Sequence, residues 1–523
     1  MSQSHTLSAL PGPDSRAGAA WRIVVAVLAT VAILIALLRL GEMREGLHIE
    51  TRQQGSQPVT VFRPADSTQH PPVVLVAHGF AGSQQLMQPL ALTLARNGYV
   101  AVTFDFPGHG RNAEPMRGGL KEERRSLGVL MGSMEDMRAL ALQLSGGEPY
   151  AVLGHSMASD IVVRHAQAHP DVAATVAISL FAPSITPKTA ANSPRNLLVV
   201  DGALEPDAMT KEALRVTGGA ALDDTRGDFA AGTARLATLA PGVEHIGVLY
   251  SRHTLAQSVT WLDRAFGKTP TSSPALAPEG PWIGLLLAGV VALAWPLSFL
   301  LPRAGKSAQA APRRRWWARR GQAPVVLLPA LLTPLILWKV PGQFLPILLG
   351  DYLLLHFALY GLLTLVGTWH LREPLPGARP LPLVMAACAT ALYALLAVGL
   401  GVNAFVLNLE PVAPRMPLIA ALVCGTLPWF LADEWMSRSP FAARGTYLAS
   451  KCAFLASLVL AIALNPGRLF FLAIIVPAIL LLFVVYGLFS RWAFARTGHP
   501  AVAAVANALA FAWFVALSFP LVE

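Results

Sequence analysis

Cysteine is scarce in this 523-residue chain and confined to one kind of place. There are three, Cys388, Cys424 and Cys452, and each lies inside an apolar run. Residues 41–280 have none, so that stretch carries no internal disulfide and no thiolate metal site. Charge is scarce too, at 13% of residues against 54% hydrophobic ones, a balance that belongs to membrane proteins. Acidic residues are nearly missing outside the middle of the chain. Residues 41–280 hold 20 Lys/Arg and 23 Asp/Glu, net −3, and the remainder holds 20 and 7, net +13. The overall +10 therefore sits beside apolar spans, where it orients helices in a bilayer, and this placement argues against nucleic acid as a partner. No P-loop, dinucleotide fingerprint or metal-spaced His/Cys cluster is present, so neither a cofactor nor a metal is expected.

What is present divides the chain. Residues 1–20 are polar and read as a cytoplasmic tail. Residues 21–40 are apolar and long enough to cross the hydrocarbon core, which takes about 20 residues. No small-x-small cleavage site follows them, so they are expected to be an uncleaved anchor rather than a signal peptide. Residues 41–268 read as one α/β domain, and the Pro/Ser/Ala-rich 269–281 as a linker. Residues 282–523 read as an all-α, polytopic transmembrane region of about eight helices. Its spans fall near 282–302, 323–338, 344–369, 381–407, 416–432, 445–465, 469–490 and 499–520, the second being the shortest.

Within 41–268, short apolar runs alternate with amphipathic segments, which predicts a doubly wound, mostly parallel sheet. One string organises it. An apolar run from Tyr150 ends in Gly154-His155-Ser156-Met157-Ala158, and a helical segment follows to about His169. Strand, sharp turn and helix are the context in which a G-x-S-x-G-like string is a nucleophile elbow. The residues two before and two after the serine must be small, because strand and helix approach closely there. Gly154 meets that need, and Ala158 adds only a methyl group. Upstream, His78-Gly79-Phe80-Ala81-Gly82 follows the buried run Val73–Ala77, and Asp105-x-x-Gly108-x-Gly110 follows Val100–Phe104.

Together these strings, over roughly residues 55–267, resemble the α/β-hydrolase superfamily, close to its lidless esterase and dienelactone-hydrolase-like branches. The resemblance implies serine, acid and histidine in that chain order. Ser156 is then the nucleophile. The histidine belongs to the loop after the last strand, where His245 stands ahead of His253, which falls at the start of the final helix. The acid of related hydrolases stands three residues after a glycine that ends the preceding strand. That points to Glu205 after Gly202, with Asp207 and Asp201 as fallbacks. The backbone N–H groups of Phe80 and Met157 are expected to form the oxyanion hole, and His78 and His109 to be structural. The interval Phe181–Arg195 is too short for a cap domain. The expected activity is a serine hydrolase acting on carboxylic esters, small or lipid-like; a peptidase or acyltransferase using the same residues, or a transporter or scaffold with a ligand-binding domain, are the alternatives.

Loop charges predict the topology. The 303–322 loop carries 7 Lys/Arg, and the loops sharing its face add six more, Arg372, Arg379, Arg438, Arg444, Arg491 and Arg496. The opposite loops carry only Lys339, Arg415 and Arg468. By the positive-inside rule the 303–322 loop is cytoplasmic, and residues 41–280 lie on the periplasmic side of an inner membrane. Asp351 and His356, inside one span, are expected to make interhelical hydrogen bonds, with a relay or binding site as the alternative. Asp433, Glu434 and Lys451, near span ends, are expected to snorkel to the interface.

Overall fold

The computed structural model describes residues 16–523 apart from 67–69, 120–121, 270–271, 307–314, 320, 341, 343, 372–374, 376 and 439–441. The tail up to residue 15, and Arg313, Arg314, Arg320 and Arg372 of the basic loops, lie outside the described residues.

Helix α1 (Arg16–Glu42) leads into a single eight-stranded sheet: β1 (Leu47–Gln54), β2 (Gln57–Pro64), β3 (Val73–Ala77), β4 (Val100–Phe104), β5 (Tyr150–His155), β6 (Val172–Ile178), β7 (Leu197–Gly202) and β8 (Arg235–Ala240). The strand order is β1-β2-β4-β3-β5-β6-β7-β8. The β1–β2 and β2–β4 pairs are antiparallel and all others parallel. The helices that cover it are α2 (Gln88–Arg96), α3 (Glu123–Ser145), α4 (Met157–Ala168), α5 (Asp207–Thr217) and, after the last strand, α6 (Arg252–Ala265).

Alternation along each strand feeds two cores. Val74, Val76, Leu153 and Val200 pack with Leu90, Leu94, Val259 and Leu262 of α2 and α6. Val73, Leu75 and Val152 pack with Leu140 and Ile161 of α3 and α4 on the other face. Covered on both sides, the central strands read as continuous apolar runs. Each such fully buried Val or Leu contributes about 1.5–3 kcal/mol.

Then follow α7 (Gly280–Ser298), α8 (Gln322–Leu337), α9 (Gly350–His370), α10 (Pro380–Leu392), α11 (Gly399–Phe405), α12 (Met416–Arg438), α13 (Thr446–Leu464), the single turn α14 (Pro466–Leu469), α15 (Leu472–Thr497) and α16 (Ala501–Ser518). A π-helical segment, Tyr393–Val398, joins α10 to α11 into one span. Among the described residues, eight helices are long and apolar enough to cross a membrane, counting α1. Helix α8 falls short at 16 residues, with Pro329 and Pro334 inside it, or about 24 Å of rise.

The two ends of this bundle differ. At one end the basic loops meet one another: Ala304 N–H donates to Thr497 O (2.8 Å), Trp316 N–H to Arg444 O (3.0 Å) and Arg379 N–H to Ala304 O (2.8 Å). At the other end the bundle meets the sheet. Gly108 O accepts from Leu521 N–H (2.8 Å) and from the buried Arg415 guanidinium (2.7 Å), Ser83 Oγ accepts from Asn408 N–H (3.0 Å), and the Phe80 ring lies 4.5 Å from that of Phe471. Arg415 also donates to Ala516 O and Phe519 O. Position 108 must be glycine, because a Cβ there would stand 2.5 Å from Leu521 O, at a φ of +80°.

The ionisable residues of the bundle do not snorkel. Asp433, Glu434 and Lys451 are buried between helices. The Lys451 ammonium pairs with Asp433 beneath the Trp429 and Tyr447 rings, at 4.4 and 4.6 Å, and Glu434 accepts from Ser490 Oγ at 2.6 Å. Opposite charges that face each other inside a bundle neutralise what lipid would penalise singly. His356 lies between Tyr352 OH (3.3 Å) and Ser457 Oγ (3.2 Å), whereas Asp351 accepts from Tyr352 N–H (2.7 Å) and faces Arg468 at 3.7 Å. Tyr352 thus bonds to both, through its N–H to Asp351 and its hydroxyl to His356.

Candidate active site

Strand β5 ends at His155, and Ser156 turns the chain into α4 with φ 54° and ψ −116°. A non-glycine residue held there costs on the order of 1–3 kcal/mol. The turn is fixed from both sides. Ser156 N–H donates to Ile178 O (2.9 Å), and Ser156 O accepts from the N–H (2.9 Å) and hydroxyl (2.6 Å) of Ser159. Gly154 has no alternative, since a Cβ would lie 2.4 Å from Ala158 O. That close approach falls on the backbone of residue 158, which is why alanine is accommodated there.

Ser156 Oγ lies 2.9 Å from His245 Nε2, and His245 Nδ1 lies 2.6 Å from Glu205 Oε1. The three side chains come from the ends of β5, β7 and β8 on one edge of the sheet, with β6 between the first two. The other carboxylate oxygen of Glu205 accepts from Gly202 N–H (2.6 Å) and Ser179 Oγ (2.9 Å). Burial pushes the Glu205 carboxyl up, but the hydrogen bonds from His245 and Gly202, the nearby imidazole and Ser179 outweigh it and hold the group below the ordinary carboxylate range.

The remaining candidates stand elsewhere. Asp201 is fully buried, accepts from Leu180 N–H at 3.2 Å, and is pushed up to about 7, first by burial and then by the charge of Glu205. Asp207 is exposed as the first residue of α5. His253 Nε2 bonds to Thr238 Oγ1 at 2.8 Å, away from Ser156. His78 Nε2 accepts from Phe106 N–H (3.2 Å), so its Nδ1–H donates to Gly79 O (2.7 Å), and His109 Nδ1 meets Pro107 O at 3.0 Å.

The 78–83 loop passes directly over the serine. A Cβ on Gly79 would come within 3.0 Å of both Ser156 Cβ and His155 Nδ1. Among the described residues, neither Phe80 N–H nor Met157 N–H donates to another protein group, and Met157 opens α4, where the helix dipole favours negative charge. The loop is anchored by Asp105. Its carboxylate accepts from Gln84 N–H (2.9 Å), Gln84 Nε2 (2.8 Å) and Arg111 N–H (3.1 Å), and a side chain at Gly110 would collide with it at 2.3 Å.

Two residues escaped the sequence reading. His155 is buried, held down to about 3 by desolvation and then by His245, and its Nε2–H donates to His245 O at 2.9 Å. Ser179, with a φ of 54°, aims its hydroxyl at Glu205. Only tertiary proximity marks the first; a serine just past a strand is a weak signal for the second. A third grouping was not read as a cluster either: Glu135, His165 and His169 bring ligand atoms within 4.8 Å of one another on α3 and the end of α4.

Residues 68–213 match the family model described as serine aminopeptidase, S33. With the eight-stranded, mostly parallel sheet and a serine elbow after β5, that match decides the fold family. The sheet region of this chain is an α/β-hydrolase domain. Similar solved structures include a CIB-like hydrolase from Thermoplasma acidophilum (18% identity, 41% of this chain and 97% of that one, TM-score 0.32). The dienelactone hydrolase of Anabaena variabilis is another (15%, 42% and 98%, TM-score 0.31). So is a soluble variant of monoglyceride lipase from Saccharomyces cerevisiae (13%, 43% and 96%, TM-score 0.30). No curated protein matches the sequence of this chain. Among the described residues, the interval Phe181–Arg195 contains neither helix nor strand.

Proposed function

We propose that the chain is a membrane-anchored serine hydrolase that cleaves carboxylic esters through an acyl-enzyme on Ser156. The observation that carries this reading is the hydrogen-bonded line from Ser156 Oγ through the His245 imidazole to Glu205. His245 Nε2 takes the hydroxyl proton as Oγ attacks the ester carbonyl carbon. Glu205 fixes the tautomer and stabilises the imidazolium that forms. The carbonyl oxygen becomes an oxyanion, and the Phe80 and Met157 N–H groups donate to it. The tetrahedral species collapses as the imidazolium returns its proton to the leaving alkoxide. Water, activated by the same imidazole, then cleaves the acyl-enzyme.

A second reading is a serine peptidase, favoured by the description of the matching family model. The same groups would protonate an amine instead of an alkoxide. For location, the positive-inside rule applied to the basic loops supports a cytoplasmic face for the 303–322 loop and a periplasmic hydrolase domain.

A fluorophosphonate probe followed by a panel of acyl esters and aminoacyl amides tests the proposal. Wild type is expected to label and to turn over esters, while Ser156→Ala does neither. Full labelling of Ser156→Ala would sink the assignment, and turnover of amides alone would select the peptidase.

A further inference from the structure

Among the described residues of the hydrolase domain, three large apolar side chains are exposed: Phe181 (65%), Leu204 (66%) and Ile246 (39%). They are not scattered. Phe181 follows β6 just beyond Ser179, Leu204 stands between Gly202 and Glu205, and Ile246 directly follows His245. All three lie at the C-terminal ends of adjacent strands, on the edge that carries Ser156. Nor are they loosely held. Leu204 N–H donates to Val243 O (3.0 Å), Ile246 N–H to Glu244 Oε2 (2.6 Å), and Leu180 N–H to Asp201 (3.2 Å). Ordered backbone thus presents apolar side chains to the outside, against the usual preference for burying them.

The rest of that edge shows what they face. At the ends of β3 and β4 it is docked on the helical bundle, through Phe80 on Phe471 and Gly108 on Arg415 and Leu521. Continuing past Ser156 to β6, β7 and β8, the edge leaves the bundle and reaches the three apolar side chains. The bundle rim at this end displays exposed Trp338, Phe344 and Phe470 with Lys339 and Arg468, the aromatic and basic residues that mark a bilayer surface. Phe470 adjoins Phe471, which touches Phe80, whose N–H lies beside Ser156. The serine end of the sheet thus adjoins this aromatic and basic rim. The domain is also tethered at both ends, since α1 stops at Glu42 before β1 starts at Leu47, and α6 stops at Ala265 before α7 starts at Gly280.

We propose that Phe181, Leu204 and Ile246 form a lip that dips into the headgroup–acyl boundary, and that Ser156 receives acyl esters from lipids of the adjoining leaflet. The first half stands on geometry alone; the second rests on the hydrolase reading given above. Immersing these apolar side chains in lipid removes their surface from water, which stabilises the lip there. A lipid ester can then reach the serine between lip and bundle without leaving the apolar phase.

The test uses the full chain in phospholipid vesicles, with Cys388, Cys424 and Cys452 replaced by alanine. A spin label at Phe181→Cys is compared with one at Glu148→Cys, an exposed site on the opposite sheet edge. Collisions with oxygen relative to a water-soluble nickel chelate should be at least threefold higher at 181. Equal ratios, or shielding from both reagents by a protein partner or second copy, would overturn the lip. In parallel, turnover of a fluorogenic diacyl phospholipid in vesicles is divided by turnover of a short water-soluble ester. Phe181→Ser should lower that quotient at least tenfold, and an unchanged quotient would overturn lipid delivery. If wild type cleaves neither ester, the hydrolase reading fails, while the collision ratio still decides the lip.

Discussion

The Nε2–H of His155 donates to the carbonyl oxygen of His245, 2.9 Å away. The residue before the serine thus grips the backbone of the residue that meets the serine hydroxyl. Loop position alone would leave the imidazole free to swing with the 241–246 segment. The contact joins the backbone of that segment to the end of β5, next to Ser156.

His155→Phe keeps the ring volume but removes the donor. We expect kcat to fall about 10–100-fold with KM little changed, the signature of lost alignment rather than lost binding. His155→Gln, which retains a donor, should recover part of the loss. Equal kinetics for Phe and Gln would reduce the contact to packing.

His245→Ala should lower turnover by several orders of magnitude. His253→Ala should have a mild effect, because that ring bonds to Thr238 on the far side of β8. Steady-state rates on a soluble ester rank the two, and the opposite ranking would transfer the base to His253.

Two carboxylates four residues apart should give opposite pH signatures in stability. Asp201 is pushed up to about 7 from 3.8, so between those values the folded chain keeps a proton that the unfolded chain releases. Stability falls as pH rises through that window and levels off above it, by an amount on the order of 4 kcal/mol at its limit. Asp201→Asn should therefore gain Tm over wild type progressively from pH 4 to 7. Glu205 lies below its ordinary 4.5, so its contribution is present above 4.5 and disappears as pH falls through the depressed value. Glu205→Gln should cost most at neutral pH, with the gap closing in acid. Tm differences flat across pH would refute both assignments.

Protease added to spheroplasts should digest the hydrolase domain and spare a tag inserted at residue 308. The bundle geometry makes this a single question, since the basic loops and the sheet occupy opposite ends of the same helices. Digestion only after lysis would invert the orientation.

The fold was legible because strands covered on both faces announce themselves as apolar runs, and because Gly154, Gly108 and Gly110 stand where backbone or a carboxylate leaves no room for a Cβ. Glu205 was legible through Gly202, whose N–H binds the same carboxylate. His155 was not, because its partner lies 90 residues away in sequence and no local pattern encodes which way the ring turns. Snorkelling was the wrong expectation for Lys451. A charge near a span end can point out to water or sideways to a neighbour, and only helix packing, which brings Asp433 beneath the same aromatic rings, decides between them.

The double grip on the Gly108 carbonyl has a consequence for biogenesis. The hydrolase domain is made first, yet Arg415, which donates to that carbonyl, emerges 307 residues later, and Leu521 later still. Until α12 and α16 are inserted, the turn after β4 lacks its clamp, and Phe80, beside the serine, lacks Phe471. The nascent domain would therefore wait in an unfinished state while the bundle assembles. The contacts that fix the two turns at the serine end of the sheet are thus complete only once the last helix of the chain has been made.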